Sequence, residues 1–450
     1  MKGLNPIYEY LERAQIDEPD TDVLKISKQV FIDTIAVMIA GSKVSPIPQI
    51  NASLQEKDGQ TTIVGKGQGY LPETSAFVNA AAAHVLDMDD CDPYMGHPSA
   101  VLVPTVLALS ENLSLSGQKV LRAYAAAYQA GDALGKQCCY DISAQGWHAT
   151  SVLMTLISSW CAGFLLGFNQ EQFKTTTSVA ASFASGLRGN FGTPVKPIHT
   201  GIAARNALTV VNLVKNGVYG SDDAVYGDEG FFNLFAHRKW TEELSLHLTE
   251  ELQKPNPLLN GTRTVKLFPS CSSNHQAVFA FLDILKEHPE LNSELVSTIT
   301  VFLNKWALGE LVTPQPQTGV EARFSPAFHF ALALKRLPIS PDYFQTQWVK
   351  KTDIQNVIQK TTLRHDCQYD DLFPWPARVV VQTRDGHEYV KVRDDIPGGK
   401  KYPLTEKELE EKFFNCSVSV LGEDKAKELL KKLKHLENVR SMTEVTALMY

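Results

Sequence analysis

Apolar positions recur at helical spacing through most of the chain before Pro255. Side chains at i, i+3, i+4 and i+7 share one face of a helix, and glycine commonly follows the last turn. This pattern predicts a helix from about Asp22 to Ala40, closed by Gly41. Further helices are predicted over Glu73–Asp87, in three segments between Ala100 and Gly167, and over Gln170–Leu187 and Ile202–Lys215.

Beyond Pro255 the pattern changes to a mixture of strand and helix signals. Two apolar runs, Arg378–Thr383 and Glu388–Val392, flank Asp385-Gly386, a dipeptide typical of a β-hairpin turn. The other elements predicted here are strands over Thr264–Cys271 and Ser297–Leu303 and helices over Asn274–Glu287 and Ser325–Arg336. After Thr405 the periodicity is helical again, with an amphipathic helix over Lys425–Leu436.

The order of these elements predicts a mainly α protein: a large all-helical domain with an inserted, smaller α+β domain. We expect residues 1–262 and 400–450 to form the helical domain. Residues 263–399 are expected to form the inserted α+β domain, because the strand signals are confined to that part of the chain.

Composition narrows the class of function. The 450 residues are 44% hydrophobic and carry a formal net charge of −7, which provides no basic field for nucleic acid or an anionic membrane. Uninterrupted apolar runs fall short of the roughly 18 residues of a membrane span, so we expect a cytoplasmic protein without a membrane partner. The seven cysteines show no Cys-x-x-Cys spacing, which predicts neither a zinc site nor an iron–sulfur cluster.

The stretch Ala81–Pro104 concentrates polar chemistry between two apolar segments. Three interpretations of it are open: a solvated loop after a helix, an acid–base site, and a metal site. The spacing lacks the glycine and distal glutamate of a calcium loop and the His-x-x-x-His of zinc proteases, so it favours the first two interpretations over a metal site. Its acids and histidines are His84, Asp87, Asp89, Asp90, Asp92 and His97.

Potential cations cluster elsewhere in this acidic chain. His148 precedes an apolar run and is expected near a helix N-terminus, whose dipole favours a bound carboxylate and a neutral imidazole. Arg188, Lys196 and His199 are expected on one loop punctuated by glycine and proline, where backbone N–H groups and side chains together can hold anionic oxygens. A solvated loop is the alternative interpretation.

Short motifs through nearly the whole length give the chain a resemblance to the MmgE/PrpD family, whose members include 2-methylcitrate dehydratase, cis-aconitate decarboxylase and iminodisuccinate epimerase. Each motif alone is weak, but their common order makes chance a poor explanation. The matching pieces include Ser75-Ala-Phe-Val-Asn, Ala83-His-Val-Leu-Asp-Met-Asp-Asp, His97-Pro-Ser-Ala, Gly146-Trp-His, Ser185-Gly-Leu-Arg-Gly, Lys196-Pro-Ile-His-Thr-Gly, Lys266-Leu-Phe-Pro-Ser-Cys, Asn274-His and Glu321-Ala-Arg-Phe-Ser.

The resemblance implies that the α+β domain is a lid, that the site lies between the domains without metal or cofactor, and that the helical domains form a homodimer. We expect the lysines to bind carboxylates and stabilise charge, the histidines to transfer protons, and Asp87 to orient or charge a histidine. The catalytic residues it implies are Asp87, His97, His148, Lys196 and Lys266; the expected substrate-binding residues are Cys91, Arg188, His199, Cys271 and His275.

Two departures from the decarboxylase-like members bear on the reaction. Cys91 stands where those members carry a threonine, and the segment Glu310-Leu-Val-Thr-Pro lacks their tyrosine. We therefore expect a metal-independent hydro-lyase acting on a small tricarboxylic acid, most similar to 2-methylcitrate dehydratase. The alternatives are cis-aconitate decarboxylation, epimerisation of a related di- or tricarboxylate, and a non-catalytic carboxylate-binding protein.

Overall fold

The computed structural model describes residues 3–54, 58–260, 262–372 and 375–450. Met1, Lys2 and Gly261, which belong to the predicted first helical segment, lie outside the described residues. The fold is mainly α with a smaller α+β part, as the sequence predicts.

Helices account for most of the described chain before residue 261. A short antiparallel ribbon, β1 (Thr61–Ile63) and β2 (Gly67–Tyr70), separates the first three helices from the rest. The helices are α1 (Asn5–Ala14), α2 (Thr21–Gly41), α3 (Ile47–Ser53), α4 (Pro72–His84), α5 (Ser99–Asn112), α6 (Gly117–Ala144), α7 (Ala149–Leu166), α8 (Gln170–Ala181), α9 (Val195–Lys215), α10 (Asp223–Tyr226), α11 (Phe231–Ala236), α12 (Glu242–Gln253) and α13 (Pro257–Asn260).

The second part combines a four-stranded sheet with helices, and the chain ends in helices. The strand order is β4-β3-β5-β6, with β3 and β4 parallel and the other pairs antiparallel. The elements are α14 (His275–Glu287), β3 (Val296–Leu303), α15 (Lys305–Glu310), α16 (Gly319–Ala322), α17 (Pro326–Leu334), α18 (Thr346–Val349), α19 (Thr352–Gln359), β4 (Thr361–His365), β5 (Ala377–Thr383), β6 (Glu388–Arg393), α20 (Glu406–Leu421), α21 (Glu423–Lys434) and α22 (Thr443–Thr446).

Local sequence signals explain several boundaries. Asn169 and Gln172 form a capping box at the start of α8, and Thr405 and Glu408 form another at α20, so exposed N–H groups at both helix starts are satisfied. The predicted hairpin is confirmed: β5 and β6 pair across Gly386, whose φ of 91° suits the turn.

Three predictions of local structure are wrong. The helix expected to reach Leu187 ends at Ala181, and the helix expected from Ile202 begins at Val195, so Lys196 and His199 lie on a helix rather than on a loop. Proline is compatible with a first helical turn, because the N–H that it lacks has no intrahelical partner there. The predicted strand Thr264–Cys271 forms only an isolated bridge, between Thr264 and Cys91.

Helix α7 is a longer apolar segment than the uninterrupted apolar runs of the sequence indicate. Ala149–Leu166 is long and apolar enough to cross a membrane, because its serines and threonines interrupt the apolar run without making the helix polar. Core helices pass the same test, and 94% of this helix is buried within the protein. The burial identifies α7 as the centre of the helical core.

Two separate hydrophobic clusters lie inside the described residues. One extends from Leu4 to Leu258 and includes the C-terminal helices from Leu409 to Met449. The other lies between Phe268 and Val381. The C-terminal segment thus packs on the helical core, while the domain boundaries at 262/263 and 399/400 stay predictions.

A buried ion pair fastens the C-terminal helices to the first part of the chain. Lys412 of α20 lies 2.5 Å from Asp33 of α2, and both side chains are almost completely buried. We expect Lys412→Met to lower the free energy of unfolding by about 3–5 kcal/mol, because it leaves a buried carboxylate uncompensated. Urea unfolding followed by circular dichroism measures this.

The double variant Asp33→Leu/Lys412→Met is the matched control. It replaces both charges with apolar groups and should recover most of the lost stability, because neither desolvation penalty remains. Lys427→Ala, at an exposed pair with Glu423, should change little. Equal destabilisation by the single and double variants would contradict the assignment of this pair.

Candidate active site

Asp87 lies in the turn after α4 and holds two ammonium groups. Its Oδ2 lies 2.5 Å from Lys196 Nζ, and its Oδ1 lies 2.6 Å from Lys266 Nζ. The Asp87 backbone has a φ of 51°, a conformation that non-glycine residues adopt rarely and mainly where surrounding contacts maintain it. The backbone carbonyl of Asp87 also accepts from Lys266 Nζ at 3.0 Å and from Ser270 N at 3.2 Å.

The two lysines come from different parts of the chain. Lys196 lies in the first turn of α9, and α9 approaches α4 closely: a Cβ on Gly201 would lie 2.5 Å from the Phe77 carbonyl oxygen. Lys266 comes from the segment that leads into the second hydrophobic cluster, and it is only 1% exposed. Asp87 therefore joins the helical core to the start of the α+β part.

Electrostatics keep this cluster ionised. Burial alone would raise the pKa of Asp87, but Lys196 and then Lys266 outweigh it and hold that pKa well below its usual value. Burial would likewise lower the pKa of Lys266, but Asp87 and Asp89 hold it above its usual value. A carboxylate and two ammonium groups leave one net positive charge at this point.

A second carboxylate, Asp89, lies between two histidines. Its oxygens lie 3.1 Å from His84 Nδ1 and 3.0 Å from His97 Nδ1. Asp87 lies farther from His97, at 3.8 Å from its Nε2, so Asp89 is the nearer carboxylate, and the role of Asp87 toward a histidine stays a prediction. Burial would raise the pKa of Asp89, but His84 and His97 hold it well below its usual value.

His148 and His199 form a second histidine pair. His148 is the N-cap residue of α7, at the helix start as predicted, and its Nδ1 lies 3.1 Å from His199 Nδ1. Burial first, and then Lys196, holds the pKa of His148 well below its usual value. Burial, followed by His84 and Lys196, lowers the pKa of His199 to about 4. Both imidazoles are therefore neutral near pH 7, and in the contact between them one ring donates and the other accepts.

These groups border a cavity of about 600 Å³ between the helical part and the α+β part. A cavity of this size suits a small organic ligand. Aromatic side chains, including Trp147, Phe191 and Trp306, make up much of its wall. Its polar wall includes His97, His148, Lys196, Arg188, Cys91, Cys271 and Glu310.

Some of the predicted site residues line this cavity, and others lie behind the lining residues. His97, His148 and Lys196 line it directly, as do the expected substrate-binding residues Arg188, Cys91 and Cys271. Asp87 and Lys266 lie buried behind Lys196, and His199 lies behind His148.

His275 is placed differently from the sequence expectation. It is fully buried, its ring stacks on Phe268 with centroids 4.4 Å apart, and among the described residues that line the cavity it does not occur. Burial holds its pKa well below its usual value. The expectation that His275 binds substrate stays a prediction.

Sequence reasoning left several residues of this cluster outside the site. His84 and Asp89 were visible as chemistry in Ala81–Pro104, but only the fold shows that they support His97. Arg323 donates to the Val85 carbonyl oxygen beside the Asp87 turn. Its place in the Glu321-Ala-Arg-Phe-Ser motif was the available signal.

The same cluster contains a possible metal-ligand set. Ligand atoms of His84, Asp87, Asp89 and His97 lie within 4.8 Å of one another, and carboxylates with imidazoles suit several divalent ions. Two ammonium groups already occupy both oxygens of Asp87 and would repel a cation there. The expectation of a metal-free site stays a prediction.

Comparison with known families agrees with this architecture. The family model "MmgE/PrpD N-terminal domain" matches residues 5–243, and "MmgE/PrpD C-terminal domain" matches residues 268–438. The chain belongs to the MmgE/PrpD family. The resemblance inferred from the motifs is thereby confirmed, and the two matched ranges meet near the segment that carries Lys266.

Curated relatives within the MmgE/PrpD family cover almost the whole chain. The cis-aconitate decarboxylase-like protein oryM of Aspergillus oryzae is 25% identical, over 95% of this chain and 93% of its own length. Cis-aconitate decarboxylase of Homo sapiens is 24% identical over 95% and 90%, and that of Aspergillus terreus is 24% identical over 96% and 93%.

The neutral state of His84 predicts how stability depends on pH. Burial lowers the pKa of His84 to about 4 despite the opposing effect of Asp89, whereas in the unfolded chain the group titrates near its ordinary value, about 6.5. Between these values the unfolded chain binds more protons, so His84 contributes stability that is present above pH 6.5 and is lost as pH falls toward 4.

We expect acidification from pH 7 to 4.5 to destabilise the wild type by about 2–3 kcal/mol more than His84→Gln, which cannot titrate. Urea unfolding at the two pH values measures the difference. His247→Gln, at an exposed histidine, is the matched control and should follow the wild type. Equal losses in the wild type and His84→Gln would show that His84 is not held neutral.

Proposed function

We propose that this protein is a metal-independent lyase for a small tricarboxylic acid, with dehydration of a 2-methylcitrate-like hydroxy acid as its reaction. The observation that carries the proposal is the meeting of two ammonium groups and two histidine pairs at one wall of the cavity. The cis-aconitate decarboxylases among its relatives support a tricarboxylate as the substrate class.

Cations are the first requirement of such a reaction. Removing a proton α to a carboxylate places a second negative charge on that carboxylate, and preorganised positive groups stabilise it most effectively in a site poor in water. Lys196 and Arg188 line the cavity and can contact carboxylate oxygens directly. Lys266 adds its charge from behind Asp87, at a fixed position.

Proton transfer is the second requirement. His148 is neutral and faces the cavity, so its unprotonated nitrogen can accept the α-proton. His97 faces the same cavity with Nδ1 against Asp89, which leaves its Nε2 for proton exchange. In a dehydration the substrate loses the α-proton to the base and the hydroxyl leaves with a proton from the acid, giving an alkene and water.

Decarboxylation of cis-aconitate is the second candidate. The names of the relatives favour it. Cys91 in place of a threonine, and Glu310-Leu-Val-Thr-Pro without a tyrosine, argue against it. Both reactions need cations at the carboxylates, but in a decarboxylation carbon dioxide leaves and the carbanion takes a proton from an acid, whereas in a dehydration a base takes the α-proton and water leaves.

A substrate panel tests the proposal. The purified protein is incubated with 2-methylcitrate, citrate, cis-aconitate and iminodisuccinate, and alkene absorbance, released carbon dioxide and optical rotation are followed. We expect alkene formation from 2-methylcitrate without carbon dioxide, and unchanged turnover after exhaustive chelation with EDTA.

Other outcomes would replace the proposal with a specific alternative. Carbon dioxide from cis-aconitate identifies a decarboxylase, a change in optical rotation alone identifies an epimerase, and binding without turnover identifies a carboxylate-binding protein. Loss of activity with EDTA, restored by one metal, assigns a metal to His84, Asp87, Asp89 and His97. The homodimer and the cytoplasmic location stay predictions, and light scattering tests the former.

Lys266 gives the sharpest mutational test. We expect Lys266→Met to reduce kcat about a hundredfold or more, because it removes a charge that opposes the growing negative charge on the substrate. Because Lys266 is buried and ion-paired, stability should also fall, by about 3 kcal/mol.

Lys360→Met is the control that distinguishes a loss of kcat from a loss of stability. Lys360 donates to the carbonyl oxygens of Ser293 and Val296 at 2.8 Å, within the α+β part, so its loss should reduce stability and leave kcat unchanged. Steady-state kinetics at a temperature where both variants are folded provides the comparison. A near-normal kcat for Lys266→Met would remove Lys266 from the site.

A further inference from the structure

Among the described residues, Glu310 is one of three carboxylates, with Asp92 and Asp395, that line a cavity which also carries cations and hydrogen-bond donors. It is the last residue of α15, it is half-buried, and it lines the cavity together with Cys91 and Cys271. Neither the proton transfer nor the carboxylate binding described above uses it. A negative charge at this position is unfavourable for a ligand that carries only carboxylates.

Two neutral groups donate hydrogen bonds to one carboxylate oxygen of Glu310. Its Oε2 accepts from Ser273 Oγ at 2.5 Å and from Cys271 Sγ at 3.9 Å. Within the described residues, the contacts of Glu310 involve these two neutral donors and no cation. Both of these hydrogen bonds are made to Oε2, while the residue itself borders the cavity.

The thiols beside Glu310 are neutral. Burial, and then Glu310 itself, raises the pKa of Cys271 to about 12, and burial raises the pKa of Cys91 to about 12. Both thiols therefore stay protonated near pH 7. Glu310 thus provides a negative charge at this wall, while Lys196 and Arg188 provide positive charge elsewhere around the same cavity.

Cys271 lies close enough to both kinds of charge to be affected by them. Glu310 raises the pKa of its thiol, and Lys196 and Lys266 oppose that effect. A ligand that spans this position has its carboxylates near the lysines and another group near Glu310. The group that suits a carboxylate acceptor is a hydrogen-bond donor, because such charge-assisted hydrogen bonds are stronger than neutral ones.

We propose that Glu310 is a specificity-determining residue that accepts a hydrogen bond from a hydroxyl or ammonium group of the substrate and disfavours a carboxylate at the same position. The inference rests on the proposed function in so far as the substrate is a small carboxylic acid. It narrows that class to acids that carry a hydroxyl or ammonium donor and places all-carboxylate acids at a disadvantage.

Equilibrium binding to the full chain tests the proposal independently of turnover. Citrate and tricarballylate differ by one hydroxyl group, and aspartate and succinate differ by one ammonium group. Isothermal titration calorimetry measures the four dissociation constants. For the wild type we expect the donor-bearing member of at least one pair to bind tenfold or more tightly than its partner, a difference of about 1.4 kcal/mol.

Variants at Glu310 assign that preference to the residue. Glu310→Ala should bring the ratio within the responding pair close to one and should bind tricarballylate more tightly than the wild type does. Glu310→Gln, which keeps the shape and a neutral acceptor, should give an intermediate ratio. Glu290→Gln, at an exposed glutamate of the same α+β part, is the matched control and should keep the wild-type ratio.

The outcomes separate this inference from the proposed function. Preference for citrate identifies a hydroxyl donor and preference for aspartate identifies an ammonium donor; either supports the proposal if Glu310→Ala removes it. Equal binding within both pairs, or a preference that survives in a folded Glu310→Ala, overturns the inference alone. Failure to bind any of the four acids overturns both, whereas discrimination without turnover of any acid overturns only the proposed reaction.

Discussion

The carboxylate of Asp87 is the interaction on which the rest of the site depends. Two lysine ammonium groups, one from α9 and one from the segment that enters the α+β part, meet on its two oxygens. Burying three charges is costly, and the mutual attraction offsets the cost only where the geometry is close and the remaining polar atoms are bonded. Here the distances are 2.5 and 2.6 Å, and Lys266 Nζ also reaches the Asp87 carbonyl. The two hydrophobic clusters are therefore joined at the point where the catalytic charge is held.

The close packing of the helical core makes this meeting possible. Alanines along α4 and Gly201 on α9 let the two helices approach until a Cβ on Gly201 would lie 2.5 Å from a backbone oxygen. After α4 the chain turns through Asp87 at a φ of 51°, an uncommon conformation for aspartate. Hydrogen bonds from Lys266 and Ser270 to the carbonyl of Asp87 maintain that turn. Strain of this kind persists where surrounding contacts over-determine it, and such places are enriched in functional sites.

Much of the fold was predictable from local patterns, and part of the site was not. Helical periodicity located α2 and the three helices between Ser99 and Leu166, and Asp-Gly located the β5–β6 hairpin, because those signals depend on neighbours in sequence. The prolines and glycines around Lys196 resembled a loop, yet Pro194 and Pro197 sit at the start of α9, where proline is tolerated. That His97 contacts Asp89 rather than Asp87 depends on the direction of one turn, and the burial of His275 depends on the packing of Phe268. The spacing of residues in the sequence predicts neither the His97–Asp89 contact nor the burial of His275.

The two histidine pairs explain how one cavity can offer both a base and an acid. His148 and His199 share a contact between neutral rings next to Lys196, at the start of α7, where the helix dipole also disfavours an imidazolium. His97 instead faces the negative charge of Asp89, while buried His84 stays neutral with its pKa at about 4. Histidines in different electrostatic environments can take acid and base roles without any change of residue type. Cys91, Cys271 and Glu310 line the same cavity, and if the histidine pairs carry the proposed proton transfers, these three residues are positions where the cavity can vary with the substrate.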